Sequence, residues 1–201
     1  ENGVIIEKEP IRTLTLAQLQ LLNCGAQSNP KFPEQVLSKD EKLMSLEEFF
    51  AFIKEQEQIN PSVQNIRFNI ELKFPQNVSS EDIALSVERA VTVIEAAEMV
   101  ERSSIQSFLL DSLSLVQKRN PNISLSALFT PTKREAITAI TGSNSAQTDI
   151  IEKAVALKVE TISPHHLYVN AQFVEEAHKV LRVPPPVFDF ENPPEDPKEI
   201  E

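Results

Sequence analysis

A short strand pattern with helical patterns on both sides constrains the fold of this chain more than any other feature. The segment Arg67–Lys73 is rich in β-branched and aromatic residues and is bounded by turn residues, which predicts a strand. Side chains alternate between the two faces of a strand, so one face is expected to be apolar and the other polar. The apolar face would hold Phe68, Ile70 and Leu72, and the polar face Arg67, Asn69, Glu71 and Lys73.

The flanking helical patterns bear on how this strand pairs. A half-exposed antiparallel strand would alternate in the same way, but helices on both sides favour a parallel sheet covered by helices. In a closed α/β barrel, inward side chains near the C-terminal ends of the strands reach the mouth where the chemistry takes place. Glu71 and Lys73 are therefore the first candidate site residues.

The same alternation of strand and helix extends along the rest of the chain. Capping-box patterns predict that one helix starts at Thr15 and another at Ser45. The first of these helices is expected to end near Gly25. Ser80 is expected to cap a long amphipathic helix through Ile94. Further strands are predicted at Ser104–Phe108, Ile123–Phe129, Val159–Ile162 and Val187–Phe190, and further helices around Leu113–Val116, across Thr132–Leu157 with an interruption at Thr141–Asn144, and at Phe173–Leu181. About five strands result, where a full barrel needs eight.

Composition narrows the class of protein and of partner. With 201 residues and 41% hydrophobic content, the chain is long enough for one core and a single domain is predicted. The net charge of -11 argues against nucleic acid or an anionic membrane as a partner. No apolar run is long enough to span a bilayer, so a soluble protein is expected.

Three regions are distinguished within this single partial barrel domain, 1–201. Residues 1–42 are predicted to form an insertion-like region of helix and loop, in which residues 26–40 are loop. Residues 43–192 carry the successive helix and strand units. Residues 193–201 form an acidic, proline-rich end.

A series of short motifs follows one another in an informative order. They are Ile11–Leu19, Phe32–Gln35, Leu43–Phe49, Asn69–Lys73, Ile105–Phe108, Ser163–Pro164 and Ala177–His178. In this order and spacing they resemble the glycerophosphodiester phosphodiesterase family, from about Ile11 to Asn192. Each motif alone is short, and their order carries the resemblance.

The resemblance implies an α/β fold, an incomplete (β/α)₈ TIM barrel of the phosphodiesterase type. It also implies a divalent cation, Ca²⁺ or Mg²⁺, and hydrolysis of a small-molecule glycerophosphodiester to glycerol 3-phosphate and an alcohol. Members of the family often lie in the bacterial periplasm or at the cell surface. An extracytoplasmic location is therefore compatible with the resemblance, which does not fix the compartment or the oligomeric state.

The resemblance also assigns roles to particular residues. Glu71 would be a ligand of the cation, because hard cations prefer carboxylate oxygen. Lys73 would be a catalytic and substrate-binding residue that offsets negative charge on the phosphate in the transition state. Phe108, with Ser107, would form a wall of the substrate pocket. The alternatives are a buried ion pair between Glu71 and Lys73, and plain core packing for Phe108.

Other motifs of the family have no counterpart in this chain. The two catalytic histidines, one of them in a His-Arg-Gly turn, and the Glu-x-Asp metal pair are missing, and Leu109 stands where the family has Asp. The histidines present are His165, His166 and His178. We therefore expect a fragment that lacks both ends of the barrel. The alternatives are a non-catalytic remnant or binding module that retains the scaffold, and a different barrel enzyme with an inward Glu and Lys.

Overall fold

The computed structural model of the chain describes residues 11–23, 25–38, 41–132 and 145–181. The chain divides into two compact units, Glu1–Ile66 and Arg67–Glu201. The prediction of one domain that spans both units stays a prediction.

The first unit contains two helices that begin as the capping-box patterns predicted, α1 at Leu16–Leu19 and α2 at Leu46–Ile59. The Ser45 hydroxyl accepts a hydrogen bond from the Glu48 N–H at 3.1 Å, and the Glu48 carboxylate accepts one from the Ser45 N–H at 2.7 Å. The Ser45 N–H and, after it, the Gln20 amide lower the pKa of Glu48, since both favour the ionised carboxylate.

The prediction that α1 extends to near Gly25 is wrong, because the helix ends at Leu19 and turns follow it. Gly25 is instead needed for a close approach of two loop segments. A Cβ atom at this position would lie 2.6 Å from the carbonyl oxygen of Ser38, while the Ser38 N–H donates to the Gly25 carbonyl at 3.0 Å. A short 3₁₀ helix, Pro61–Asn65, follows α2 in this unit.

The second unit contains a parallel sheet whose strands alternate with helices. The strands are β1 Phe68–Glu71, β2 Ser103–Ser107, β3 Ser124–Phe129 and β4 Thr161–Pro164, and the helices are α3 Ser80–Ala96, α4 Leu110–Arg119, α5 Ser145–Leu157 and α6 Ala171–Val180. The strands pair in parallel in the order β1-β2-β3-β4. The parallel prediction is therefore confirmed, and the antiparallel alternative is wrong.

Some predicted elements fall outside the described residues. These are the strand at Val187–Phe190, most of the helix proposed from Thr132 with its interruption at Thr141–Asn144, and the acidic end at 193–201. Of the roughly five strands predicted, the described part of the chain holds four.

The strand register separates an apolar face of the sheet from a polar one. Ile70 lies beside Ile105, and Ile105 beside Leu125, so these side chains share one face. Ile105 is fully buried. On the same face, Phe129 and Ile162 pack against a cluster of buried residues from α5, α6 and the turn between β4 and α6. The helices therefore cover the apolar face, and Asn69 and Glu71 lie on the other face.

Left-handed residues end two of the helices and set where the next strand begins. Glu98 follows α3 with φ 59°, and Lys158 follows α5 with φ 54°. The N–H of Val159 then bonds back to the carbonyl of Ala154 at 3.2 Å, as in a Schellman motif. Because this N–H closes the helix, β4 begins at Thr161 and not at Val159 as predicted.

The prediction for the start of α3 is displaced by one residue. Ser79, and not Ser80, caps the helix, since its hydroxyl accepts from the Asp82 N–H at 3.0 Å.

Ion pairs join α3 to the last turn of α4. The Arg119 guanidinium donates to the carboxylates of Glu88 at 2.9 Å and Glu95 at 2.9 and 3.1 Å. Arg119, and after it Asn120, lowers the pKa of Glu95.

Candidate functional site

The C-terminal end of β1 places two charged side chains next to each other. Glu71 is the last residue of the strand, and the Nζ atom of Lys73 lies 3.8 Å from its Oε1 atom. The Lys73 side chain is 78% exposed and that of Glu71 31% exposed. The pair is therefore not buried in the described unit, which removes the main support for the alternative of a buried ion pair.

Phe108 follows β2 and lies next to this end of β1. Its residue surface is 51% exposed, so it is not packed in the core of the described unit. With Lys73 it lines a cleft of about 220 Å³ formed by the loops that leave β1 and β2. The structure thus brings Lys73 and Phe108 together. Glu71 is paired with Lys73 but is not itself among the residues that line the cleft.

Ser107 holds the two loops in register and is itself fully buried. Its hydroxyl donates to the carbonyl of Leu72 at 2.8 Å and accepts from the N–H of Leu109 at 3.1 Å. It therefore joins the end of β1 to the start of α4, because each bond satisfies a backbone group that leaves regular structure there. Sequence reasoning placed Ser107 in the pocket wall and missed this linking role.

We expect Ser107→Ala to lower the free energy of unfolding by about 1–3 kcal/mol, because it leaves two backbone groups at the cleft without their partner. Ser103 provides a matched control in the same strand and on the same face. Its hydroxyl is buried and has no hydrogen-bond partner in the described structure, so Ser103→Ala removes an unsatisfied polar group and should not lower the free energy of unfolding. Urea denaturation of both variants measures the difference. Equal losses would contradict the linking role of Ser107.

The polar face of the sheet continues from Glu71 across the neighbouring strands. The Asn69 amide donates to the Gln106 side-chain oxygen at 2.9 Å, and the Ser104 hydroxyl donates to the Asn69 side-chain oxygen at 3.1 Å. Further along, the hydroxyls of Ser126 and Ser163 lie 2.9 Å apart. The face that would point into a barrel is therefore lined by hydrogen-bonded polar groups, a pattern that sequence reasoning recognised only for β1.

The histidines lie away from Glu71 and Lys73. His165 and His166 follow β4 with ring centroids 4.1 Å apart, and the Leu167 N–H donates to Nδ1 of His165 at 3.3 Å. Two strands separate β1 from β4, which corresponds to roughly 14 Å along the sheet. His178, on α6, lines a different groove beside β4.

The described residues do not by themselves fit a divalent-cation site. Ca²⁺ takes six to eight oxygen ligands, and Mg²⁺ takes six, of which one or two are usually carboxylates and the others water or substrate phosphate. No group of three or more His, Cys, Asp or Glu that could hold a metal occurs in the described ranges. Glu71 could supply one carboxylate ligand.

No described helix is long and apolar enough to cross a membrane.

Comparison with known sequences supports the resemblance seen in the motifs. Residues 3–181 match the sequence model of the glycerophosphoryl diester phosphodiesterase family. No curated protein matches the chain.

Solved structures show the fold. A protein of Galdieria sulphuraria that carries the name glycerophosphodiester phosphodiesterase aligns with 83% of this chain and 53% of its own, at 23% identity and a TM-score of 0.58. A protein of Silicibacter pomeroyi named as a glycerophosphoryl diester phosphodiesterase aligns with 75% of this chain and 47% of its own, at 18% identity and a TM-score of 0.60. The chain thus spans about half the length of these structures, and the predicted incomplete (β/α)₈ barrel is confirmed.

Proposed function

Because the chain belongs to the glycerophosphoryl diester phosphodiesterase family, we propose that it contributes part of the active site of an enzyme that hydrolyses glycerophosphodiesters to glycerol 3-phosphate and an alcohol. The family generally depends on a divalent cation. The match extends over residues 3–181, and the comparisons do not favour a non-catalytic remnant.

One observation carries this proposal. Glu71 and Lys73 lie side by side at the C-terminal end of β1, and Lys73 also lines the cleft at that end of the sheet. Barrels of parallel strands carry their chemistry at this end, because the loops that follow the strands meet there. In this position the carboxylate can bind a cation, and the ammonium group can bind the phosphate of the same substrate.

In this proposal Lys73 binds the substrate phosphate. Its side chain is exposed and lines the cleft, so the ammonium group can approach a phosphate oxygen, where it would offset the charge that grows in the transition state. Phe108 also lines the cleft and would contact the rest of the substrate.

Glu71 would hold Ca²⁺ or Mg²⁺ through one carboxylate oxygen, and the remaining ligands would come from groups outside the described residues. When bound, such a cation would polarise a phosphoryl oxygen of the substrate. The carboxylate of Glu71 also lies 3.8 Å from the ammonium group of Lys73, so the two groups can act on the same phosphate.

The test of Lys73 uses what we term the completed barrel, these 201 residues joined to the remaining segments of the Galdieria sulphuraria protein. We expect Lys73→Met to lower kcat for glycerophosphocholine by about 10²–10³, because a charge aimed at the transition state is lost. Lys31→Met, at an exposed loop position of the first unit, is the control and should leave kcat within about twofold. Equal kcat values for the two variants would contradict the role of Lys73.

A further inference from the structure

The cleft beside Lys73 differs in character from the polar face of the sheet. Its apolar lining comprises Leu72, Phe74, Pro75, Val78, Phe108 and Leu109. The polar residues of the lining are Lys73, Gln76 and Ser107, and the Ser107 hydroxyl is engaged with backbone groups. The cleft therefore offers one cation at an otherwise largely apolar surface.

The size of the cleft limits what it can hold. Complete small-molecule sites in proteins occupy about 300–1,000 Å³, whereas this cleft measures about 220 Å³. It suits one arm of the substrate, by which we mean the group of a few carbon atoms on one side of the phosphate, rather than a whole phosphodiester. With the phosphate at Lys73, the arm that enters would be attached directly to the phosphorus.

The charge of the lining residues favours one kind of alcohol group in the substrate over another. An exposed aromatic ring such as Phe108 can attract a quaternary ammonium group by a cation–π interaction. Among the described lining residues, however, no carboxylate is present to attract a cation, and the carboxylate of Glu71 lies outside the lining, paired with Lys73. A quaternary ammonium group would therefore lose hydration in this cleft without gaining a counter-charge. An uncharged apolar group contacts the same lining residues without that loss of hydration.

We infer that this cleft receives an uncharged, apolar alcohol arm of the phosphodiester in preference to a cationic head group such as choline. The inference rests on the proposed function, which places the phosphate at Lys73. The preferred substrates would then be glycerophosphodiesters of short aliphatic alcohols.

Two isosteric probes test this inference in binding experiments with the 201-residue chain. One is glycerophosphocholine, and the other is its 3,3-dimethylbutyl analogue, in which a carbon atom replaces the charged nitrogen. We expect NMR titration to show about tenfold tighter binding of the analogue, because burying the charged nitrogen of choline costs hydration that no carboxylate among the described lining residues replaces. Equal affinities, tighter binding of glycerophosphocholine or no binding of either probe would overturn the inference.

Substitutions at Phe108 distinguish apolar contact from a cation–π interaction. Phe108→Ala should weaken binding of the analogue by about fivefold to tenfold, and Phe108→Leu, which keeps an apolar wall, should restore most of the loss. Phe52→Ala, at another exposed phenylalanine in the first unit, is the control and should change neither affinity. An unchanged affinity for the analogue in Phe108→Ala would overturn the inference.

Lys73→Met separates this inference from the proposed function. If the inference and the proposed function both hold, the substitution weakens binding of both probes through loss of the phosphate contact, and the analogue still binds more tightly than glycerophosphocholine. If both probes weaken but were never distinguished by the unmodified chain, the proposed phosphate contact stands and the apolar preference fails. If neither probe weakens, the phosphate contact fails, and the inference that depends on it is overturned with it.

Discussion

The isolated 201-residue chain should release no measurable glycerol 3-phosphate from glycerophosphocholine, with either Ca²⁺ or Mg²⁺ present. Hydrolysis at phosphorus needs a positioned acid or base, which typically contributes 10²–10⁴ in rate. The histidines that follow β4 lie roughly 14 Å along the sheet from Glu71 and Lys73, too far for direct proton transfer. A single carboxylate also binds a hard cation weakly.

A coupled assay for glycerol 3-phosphate measures this turnover. The completed barrel serves as the positive control, and the expected difference between it and the isolated chain is many orders of magnitude, because enzymes typically accelerate reactions by at least about 10⁶. Cation-dependent release of glycerol 3-phosphate by the isolated chain would show that these 201 residues suffice for catalysis. It would also mean that another group, with His165 the first to examine, acts as the acid or base.

The sequence predicted the alternation of helices and parallel strands because hydrophobic periodicity is a local property. Period two over β1 and a period of three to four over α3 are visible in the residues themselves, and both elements occur where expected. The capping boxes at Thr15 and Ser45 were equally visible, since each needs only residues three positions apart.

Boundaries were less predictable because backbone hydrogen bonds decide them. The start of β4 depends on Val159 closing the preceding helix through a left-handed Lys158, and lysine carries no sequence signal for that conformation. Similarly, the position of Glu71 and Lys73 at the strand end followed from alternation, whereas the proximity of Phe108 to Lys73 depends on how β2 pairs with β1. Long-range pairing of this kind leaves no mark in a single sequence.

The linking role of Ser107 shows the same limit. A serine at the end of a strand has several local hydrogen-bonding options, and the sequence does not choose among them. Its bond to the Leu72 carbonyl joins residues 35 positions apart, and only the folded sheet brings them together.

Glu71→Gln in the completed barrel is expected to lower affinity for Mg²⁺ and Ca²⁺ and turnover together. The substitution preserves the volume of the side chain and one oxygen but removes the negative charge that a hard cation requires. Removing groups that merely support a metal ligand costs about 10–100-fold in affinity or activity, so the loss of the ligand itself should exceed about a hundredfold. Lys73→Met should instead lower turnover and leave cation affinity within about threefold, because its proposed partner is the phosphate.

Calorimetric titration of Mg²⁺ and Ca²⁺ into the completed barrel and into these two variants tests most directly whether Glu71 and Lys73 form part of a metal-dependent phosphodiesterase site. The account predicts a loss of more than about a hundredfold in cation affinity for Glu71→Gln and near-unchanged affinity for Lys73→Met. Unchanged cation affinity in Glu71→Gln would contradict the account, because Glu71 would then be no more than the ion-pair partner of Lys73.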